Sequence, residues 1–309
     1  MKILITGTLG FIGSNFIRYV TEKYPEHNWI GVDKAVYNYN LNNSFEHNSY
    51  KFYLADISDQ HTINRIFEIE KPELVIGMAA ESFVDNSITD IMPFLQTNVI
   101  GTQVLINACL KHQSRYFHIS TDEVYGQKLN MNDEPWTEDE PLNPRNPYAA
   151  SKAAAELIVK TAHETHGLQY QMTRSCNVFG PRQKKDNLIP HVITSLKNNS
   201  AVNIHGNGKN FRQYIYVEDK ITAIMQIIKH GKLNEVYNIG AANYCTNLDM
   251  VTVIARLTKK GYLLNFIADR KAHDFGYSVD SYKLKQLGWR PQHEFYLALS
   301  NTVESYSNV

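Results

Sequence analysis

The sequence is poor in cysteine, carries no excess charge of either sign and lacks any long apolar run. Cys109, Cys176 and Cys245 are odd in number and widely spaced, which excludes a disulfide framework and gives no metal-ligand spacing. The 31 basic and 31 acidic residues balance, so the overall charge favours neither nucleic acid nor an anionic membrane as a partner. No apolar run is long enough to cross a bilayer. We therefore expect a protein of a reducing compartment, without a bound metal.

The composition fits a globular protein of one large domain, or of a large and a small one. The chain has 309 residues, of which 43% are hydrophobic and 20% are charged. A strand-like run begins at Lys2, which leaves no room for a signal peptide. We therefore expect a cytoplasmic location.

Short apolar runs alternate with helical patterns through the first half of the chain. This alternation predicts an α/β fold, a doubly wound parallel sheet covered by helices on both faces. The predicted strands are 2–6, 29–33, 51–55, 74–78, 116–120 and 170–175, and the predicted helices are 11–23, 59–70, 94–112 and 147–166.

The order of elements changes after residue 176. The later segments are too short and too mixed to form a second independent core. We predict helices at 188–198, 218–230 and 247–259, a strand, a glycine turn and a second strand within 202–217, and further strands at 236–240 and 263–267. We therefore divide the chain into a dinucleotide-binding domain, 1–176, to which some later segments return, and a smaller C-terminal substrate-binding lobe, 177–309. This lobe is expected to pack on the carboxyl edge of the sheet.

Three glycines follow the first strand and open the first helix. In "ITGTLGFIGS", Gly7, Gly10 and Gly13 let the backbone turn tightly and approach a pyrophosphate at a helix N-terminus. Asp33 ends the second strand, where a carboxylate can hydrogen-bond both ribose hydroxyls and repel a 2′-phosphate. The pattern predicts a Rossmann-type site that prefers NAD to NADP, although the adjacent Lys34 weakens that preference.

Two further patterns carry chemistry. Tyr148 and Lys152 stand at i and i+4 of a predicted helix, so both can point into one pocket. A neighbouring ammonium favours phenolate, which would make Tyr148 a usable base. The strand 116–120 is followed by a hydroxyl and two carboxyls, Thr121, Asp122 and Glu123. Alone, the pair could be a surface Tyr with a solvated Lys, and the triplet a solvated loop.

The GxxGxxG spacing, together with Tyr-x-x-x-Lys, resembles the extended short-chain dehydrogenase/reductase family. Within that family the chain resembles the nucleotide-sugar 4,6-dehydratases of the dTDP-glucose and UDP-glucose type. Sister epimerases and decarboxylases share the glycines and the Tyr-x-x-x-Lys but typically lack an Asp-Glu pair directly after the hydroxyl. The matching segments, in order, are "VDKAVYNYN" (32–40), "AAESFVDNSI" (79–88), "QTNVIGT" (96–102), "STDEVYG" (120–126), "NPYAASKAAAE" (146–156), "NLIP" (187–190), "FRQYIYVED" (211–219), "YNIG" (237–240) and "LGWRP" (287–291).

The resemblance implies three sets of site residues. The catalytic set is Thr121, Asp122, Glu123, Tyr148 and Lys152. The NAD-binding set is Gly7, Gly10, Phe11, Ile12, Gly13, Asp33, Lys34, Asp56, Ile57, Ala79, Ala80, Thr97, Tyr148 and Lys152. The sugar-nucleotide set is Ser82, Thr121, Asn177, Asn187, Leu188, His205, Arg212, Asn247, Arg270 and His273. Arginine suits a diphosphate because guanidinium pairs bidentately with phosphate oxygens, although both arginines could also be surface residues.

Several positions depart from the dTDP-glucose pattern. His205 replaces a common Tyr at the base, and "NIHGNG" is more similar to the UDP-glucose dehydratases, which favours a UDP-hexose over a dTDP-hexose. Asn187 replaces a Lys, Phe83 replaces a His, and 269–277 has lost the usual Pro-Gly. These changes leave glucose and N-acetylglucosamine both open, with an apolar Phe83 suited to an N-acetyl group.

The resemblance implies a redox-neutral dehydration to a 4-keto-6-deoxy sugar nucleotide, with possible reprotonation of C5 from the other face. Tyr148 would act on the C4 hydroxyl, Glu123 on the C5 proton and Asp122 on the C6 hydroxyl. The alternatives are a UDP-sugar 4-epimerase or reductase on the same scaffold and a silent NAD-sensing regulator. A homodimer is also implied, with 94–112 and 147–166 pairing with their copies in a four-helix bundle.

Overall fold

A seven-stranded parallel sheet forms the centre of the molecule. The computed structural model describes residues 1–35, 43–269 and 271–306, so Arg270 and the end of the segment 32–40 lie outside the described residues. The sheet order is β10-β6-β5-β4-β1-β2-β3, which confirms the predicted α/β class. Its strands are β1 (Lys2–Thr6), β2 (Asn28–Asp33), β3 (Tyr50–Leu54), β4 (Leu74–Gly77), β5 (Arg115–Thr121), β6 (Tyr170–Ser175) and β10 (Glu235–Ile239).

Helices cover both faces of this sheet because its inner strands are apolar on both sides. In β1, Ile3 and Ile5 belong to one buried cluster and Leu4 to the other. The helices are α1 (Phe11–Lys23), α2 (Gln60–Glu70), α3 (Val84–Thr89), α4 (Met92–Phe94), α5 (Thr102–His112), α6 (Pro147–His166), α7 (Leu188–Lys197), α8 (Val217–His230), α9 (Asn247–Thr258), α10 (Tyr282–Gln286) and α11 (Phe295–Ser305). Over the described ranges, no helix is long and apolar enough to span a membrane.

The predicted helix 94–112 is not regular. It begins with α4, passes through a π-helical segment, Leu95–Gly101, and continues as α5. Asn98, in the wider turn, donates to the backbone of Glu81 and to the Ser151 hydroxyl, both at 2.9 Å. Its side-chain oxygen also accepts from the Glu81 amide at 2.9 Å. Such π-turns occur often at functional sites, and this one ties the end of β4 to α6.

The later elements form two small sheets on the carboxyl edge. One has the order β11-β9-β7 and the other pairs β12 with β8. The predicted strand, turn and strand of 202–217 is therefore not a hairpin: β8 pairs in parallel with β12, whereas β9 pairs with β7 and β11. The bounds are β7 (Asn177–Phe179), β8 (Val202–His205), β9 (Phe211–Tyr216), β11 (Tyr244–Thr246) and β12 (Leu264–Ile267).

The second half of the chain also contributes to the large sheet. The strand β10 pairs in parallel with β6 along its whole length. Residues of α8, such as Ile224 and Ile227, share one buried cluster with Phe16 of α1 and Val303 of α11. One hydrophobic core therefore runs continuously from the amino-terminal half into the later elements.

Candidate active site

The turn between β1 and α1 requires glycine for two distinct reasons. Gly7 has φ +77°, and a Cβ there would lie 2.8 Å from Cα of Ala79. A Cβ on Gly13 would lie 2.0 Å from the Gly7 carbonyl oxygen. Because these two positions carry no side chain, a ligand can approach the backbone at the start of α1, where the helix dipole favours a negative charge. These residues fit the pyrophosphate of NAD.

Asp33 is held in place at the end of β2. One of its carboxylate oxygens accepts from the Leu9 amide and the other from the Ala35 amide, both at 2.9 Å. The side chain is buried. A fixed carboxylate at this position fits a ribose with free hydroxyls and opposes a 2′-phosphate.

Lys34, the residue expected to weaken the preference for NAD, is engaged by other groups. Its ammonium nitrogen lies 3.3 Å from a carboxylate oxygen of Glu81 and 3.8 Å from one of Asp56. It also donates to the Thr97 hydroxyl at 3.1 Å. Two carboxylates therefore compensate its charge, so Lys34 offers little attraction to a 2′-phosphate.

The predicted residues line two adjoining cavities. The first, of 360 Å³, extends from the glycine turn to the carboxyl end of β5, and the second, of 440 Å³, lies against the small sheets. Of the predicted residues, the first is lined by Gly7, Gly10, Phe11, Ile12, Gly13, Asp33, Lys34, Ile57, Ala79, Ala80, Ser82, Thr97, Thr121, Asp122, Glu123, Tyr148, Lys152, Asn177 and Asn187. The second is lined by Ser82, Glu123, Asn177, Asn187, Leu188, His205, Arg212, Asn247 and His273.

Among the described residues of the three predicted sets, Asp56 is absent from both linings. Its carboxylate accepts from the Ser58 amide at 2.9 Å and lies near Lys34, while its neighbours Ala55 and Ile57 reach the cavity wall. Arg270 lies outside the described residues.

The strand β5 delivers its last residue and the two carboxyls into the first cavity. Thr121 ends the strand, and a 3-10 turn, Asp122–Tyr125, follows. The Thr121 hydroxyl donates to Asp122 at 3.2 Å and accepts from the Glu123 amide at 3.3 Å. Asp122 is only 2% exposed. The alternative of a solvated loop is therefore wrong for this residue.

The two carboxyls have different surroundings. Burial, followed by the charge of Glu123, raises the pKa of Asp122 to about 8. Among the described residues, one oxygen of Asp122 has no hydrogen-bond partner. Glu123 accepts from the Asn146 amide group at 3.0 Å. The Tyr277 hydroxyl, which donates its one hydrogen to Asp274, lies 3.4 Å from the same carboxylate. Burial raises the Glu123 pKa as well, while the Asn146 donor opposes the rise. Asp122 is thus suited to hold a proton and Glu123 to accept one.

Tyr148 and Lys152 lie one turn apart on α6, and both are buried. Burial, then the charge of Glu123, raises the Tyr148 pKa, while a hydrogen bond with Thr121 lowers it. Burial lowers the Lys152 pKa to about 8, and its ammonium donates to the Ile119 carbonyl at 2.6 Å. Burial of the phenol and the charge of Glu123 thus oppose the lowering of the Tyr148 pKa that a neighbouring ammonium was expected to give, and the role of Tyr148 as a base stays a prediction.

Arg212 is held by backbone carbonyls rather than lying free on the surface. It donates to the carbonyls of Phe211, Asp274 and Phe275 at 2.8, 3.2 and 3.3 Å. Its guanidinium carbon lies 4.6 Å from the centroid of the Tyr277 ring. The fixed cation lines the second cavity, where it can meet an anionic ligand.

Several lining residues were not identified from the sequence. Asn146 and Tyr277 lie inside the segments 146–156 and 269–277, but nothing in those segments indicated that Asn146 would donate to Glu123 or that Tyr277 would lie beside it. Lys184, whose ammonium lies 4.5 Å from the centroid of the Phe83 ring, carried no signal. Lys220 lies one residue beyond "FRQYIYVED" and also lines the first cavity.

The chain is similar to several known proteins. The NAD dependent epimerase/dehydratase family matches residues 3–240. The low-salt glycan biosynthesis protein Agl12 of Haloferax volcanii is 39% identical over 99% of this chain and 98% of that protein. The dTDP-glucose 4,6-dehydratase of Haemophilus influenzae is 38% identical, with the same coverage. The structure of DesIV, a dTDP-glucose 4,6-dehydratase from Streptomyces venezuelae with NAD and TYD bound, has a TM-score of 0.93 at 35% identity, covering 100% of this chain and 97% of that one.

Proposed function

Because the chain belongs to the NAD dependent epimerase/dehydratase family, we propose that it is the dehydratase that converts dTDP-glucose to its 4-keto-6-deoxy product. It is an NAD-dependent nucleotide-sugar 4,6-dehydratase, a hydro-lyase, like its relatives. The observation that carries the assignment is the pair of buried Asp122 and partly buried Glu123 after β5, both lining one cavity with Tyr148. An epimerase needs no such acid and base, whereas the elimination of water needs both.

The reaction begins at the C4 hydroxyl. NAD, when bound in the first cavity, would supply the acceptor for the C4 hydride and would return that hydride to C6 after the elimination, when C5 is protonated again. Tyr148 takes the proton of the C4 hydroxyl, with Thr121 hydrogen-bonded to its phenol. Because burial raises the Tyr148 pKa, the phenol needs a further positive charge nearby before it can act as a base at neutral pH.

In the elimination step that follows, the two carboxyls have different roles. A C4 ketone acidifies the C5 hydrogen, and Glu123 accepts that proton while Asn146 orients its carboxylate. Asp122 gives its proton to the C6 hydroxyl, so that water rather than hydroxide leaves. The opposite needs of an acid and a base explain why two adjacent carboxyls have unequal surroundings.

The nucleotide is proposed from those relatives that are named dTDP-glucose 4,6-dehydratase. A UDP-hexose is the second candidate, which His205 in place of a common Tyr was expected to favour. Its Nδ1 lies 3.2 Å from the Ala268 carbonyl and must donate to it, which leaves Nε2 as the acceptor of the neutral ring. Uracil and thymine present the same N3–H and carbonyls, so His205 does not discriminate between them through this edge.

The sugar is proposed to be glucose rather than N-acetylglucosamine. Phe83 was expected to offer an apolar wall to an N-acetyl group. The Lys184 ammonium, however, lies over its ring at 4.5 Å from the centroid. A charged group at that face disfavours an apolar methyl there.

A substrate panel tests the proposal. The purified protein is incubated with dTDP-glucose, UDP-glucose and UDP-N-acetylglucosamine, and the products are read by mass for the loss of one water. We expect the greatest kcat/KM with dTDP-glucose, and preference for UDP-glucose would support the second candidate. NMR of the product shows whether C5 is also inverted. Products of unchanged mass would identify an epimerase, and a tightly bound NAD without turnover would identify a regulator. Tyr148→Phe is the inactive control.

A further inference from the structure

The mechanism above leaves one buried cation of the first cavity unused. Lys220, in the first turn of α8, is 2% exposed. Its ammonium donates to the Ser175 hydroxyl at 2.7 Å. Within the described part of the chain it forms no ion pair within 4.0 Å, although a buried charge is costly without a partner. A buried lysine that lines a catalytic cavity is a functional candidate on physical grounds.

Lys220 lies close to the acid of the proposed elimination. Ser175 is the register partner of Thr121 in the parallel pair of β5 and β6, so their backbones are about 4.8 Å apart. Asp122 follows Thr121 directly and has one buried oxygen without a hydrogen-bond partner among the described residues. The titratable and charged groups that act on Asp122 are Glu123, Tyr148 on α6, Cys176 after β6, Arg212 on β9 and Lys220 on α8.

We propose that Lys220 is a positioning residue that holds a positive charge opposite Asp122 once Asp122 has given up its proton. The inference rests on the proposed elimination. In that step the Asp122 O–H bond breaks, the proton joins the C6 oxygen, and the C6–O bond breaks with its electron pair leaving in water. The electrons of the C5–H bond form the C5–C6 double bond as Glu123 takes the C5 proton. A carboxylate is thereby created in a buried site, where an ammonium stabilises it.

The charge balance of the site supports this role. Burial lowers the Lys220 pKa to about 8, while a negative charge on Asp122 opposes that fall. The Cys176 thiol stays neutral, because burial raises its pKa. Ionisation of Asp122 therefore favours the ammonium form of Lys220. Burial still keeps the Asp122 pKa at about 8, so that its proton is available at neutral pH.

Lys220→Met tests the proposal, because methionine fills similar volume without the charge. We expect water loss to fall about tenfold or more, the effect of removing an opposite charge next to a carboxyl, while exchange of the C5 hydrogen with solvent deuterium is retained. Lys229→Met, an exposed lysine on the same helix, is the control and should leave both rates unchanged. Equal loss of exchange and elimination, or no loss of either, would overturn the proposal.

Further experiments keep the proposal testable if the methionine variant fails to fold or if no sugar nucleotide is turned over. Lys220→Gln retains a donor to Ser175 and should show the same split if the methionine variant fails to fold. In the Asp122→Asn background, Lys220→Gln should have no further effect on elimination, and an undiminished effect would refute the coupling.

Infrared titration of the Asp122 carboxyl needs no substrate. Without the Lys220 charge Asp122 should lose its proton at higher pH, and an unchanged titration refutes the role even if no sugar nucleotide is turned over.

Discussion

Asp122 and Glu123 are neighbours in the chain, yet their carboxyl groups have different partners. Asp122 points into a buried site with one weak donor, the Thr121 hydroxyl at 3.2 Å. Glu123 receives a donor from another element, Asn146 at the start of α6, and lies 3.4 Å from the Tyr277 hydroxyl. Because hydrogen bonds to a carboxylate favour its charged form, these surroundings assign the proton to Asp122 and the charge to Glu123.

Substitution of either carboxyl should stop the reaction at a different step. Glu123→Gln should accumulate absorbance of NADH after C4 oxidation but lose exchange of the C5 hydrogen with solvent deuterium. Asp122→Asn should retain that exchange and lose elimination of water. Each loss should be on the order of 10²–10⁴ in rate. Mass spectrometry in deuterium oxide measures both events, and wild-type turnover by both variants would contradict the assignment.

The rate of elimination should fall with rising pH. Asp122 must be protonated to act as an acid, and burial sets its pKa at about 8. The protonated fraction therefore decreases as pH rises through about 8, and water loss should decrease with it. Exchange of the C5 hydrogen depends on ionised Glu123 and serves as the internal control. A pH profile in which exchange and elimination fall together on the alkaline side would argue against Asp122 as the acid.

The NAD preference should depend on the charge of Asp33. Asp33→Asn keeps an acceptor for the Leu9 or the Ala35 amide but removes the repulsion of a 2′-phosphate. The ratio of NADP to NAD affinity should therefore rise roughly tenfold or more. Titration calorimetry with both nucleotides measures the ratio. Asp59→Asn, which alters an exposed helix cap away from the cavity, is the control, and an unchanged ratio in Asp33→Asn would contradict this role.

At the scale of elements, the catalytic helix α6 is fastened to the sheet by a buried ion pair. Arg174 of β6 meets Glu156 of α6 with an N–O distance of 2.7 Å, and the side chains are 1% and 0% exposed. Arg174 also donates to the Tyr125 hydroxyl at 2.8 Å. Glu156 follows Lys152 by one turn, so the same stripe of α6 carries the catalytic residues and the anchor.

Breaking this pair should destabilise the protein strongly. Glu156→Gln leaves the Arg174 charge buried without its partner, which typically costs about 3–5 kcal/mol. Glu68→Gln is the matched control, because its pair with Lys111 is exposed and should contribute less than about 1 kcal/mol. Denaturant unfolding measures both. A Glu156→Gln variant as stable as the control would show that the buried pair does not anchor α6.

At the scale of the whole molecule, one helical face remains open. The π-helical segment and α5 pack against α6, and apolar side chains on these elements still face outward: Ile100 is 47% exposed and Leu157 56%. We propose that a second copy covers them, forming a four-helix bundle. Two helices from each copy suit an isologous interface, in which the same surface serves both partners.

This proposal predicts a dimer that a single charge can dissociate. Leu157→Glu should shift the protein from dimer to monomer in sedimentation velocity, because a carboxylate would be buried against its copy. Leu297→Glu, on α11 and 67% exposed, is the control and should leave the mass unchanged. A wild-type protein that sediments as a monomer would contradict the proposed bundle.

The amino-acid sequence alone determined those features of this protein that depend on residues close together in the chain. Apolar runs and glycines predicted the parallel sheet, the turn at Gly7 to Gly13 and the carboxylate at Asp33, since each depends on neighbouring residues and on strand and helix periods. The adjacency of Asp122 and Glu123 also placed both at one strand end. The helix α6 matched its predicted bounds, 147–166, because Asn146 caps it and Gly167 ends it.

The tertiary structure decided the protonation and pairing of these groups. Tyr277 reaches Glu123 across 154 residues of sequence, Glu81 compensates Lys34, and β8 and β9 separate into different sheets although a short turn joins them. The Tyr148 pKa rises because the fold buries the phenol, which a pattern of i and i+4 residues does not reveal. Burial and long-range contacts exist only after distant segments pack together. The sequence could therefore identify the site residues, whereas their pKa values and hydrogen-bond partners depend on the tertiary structure.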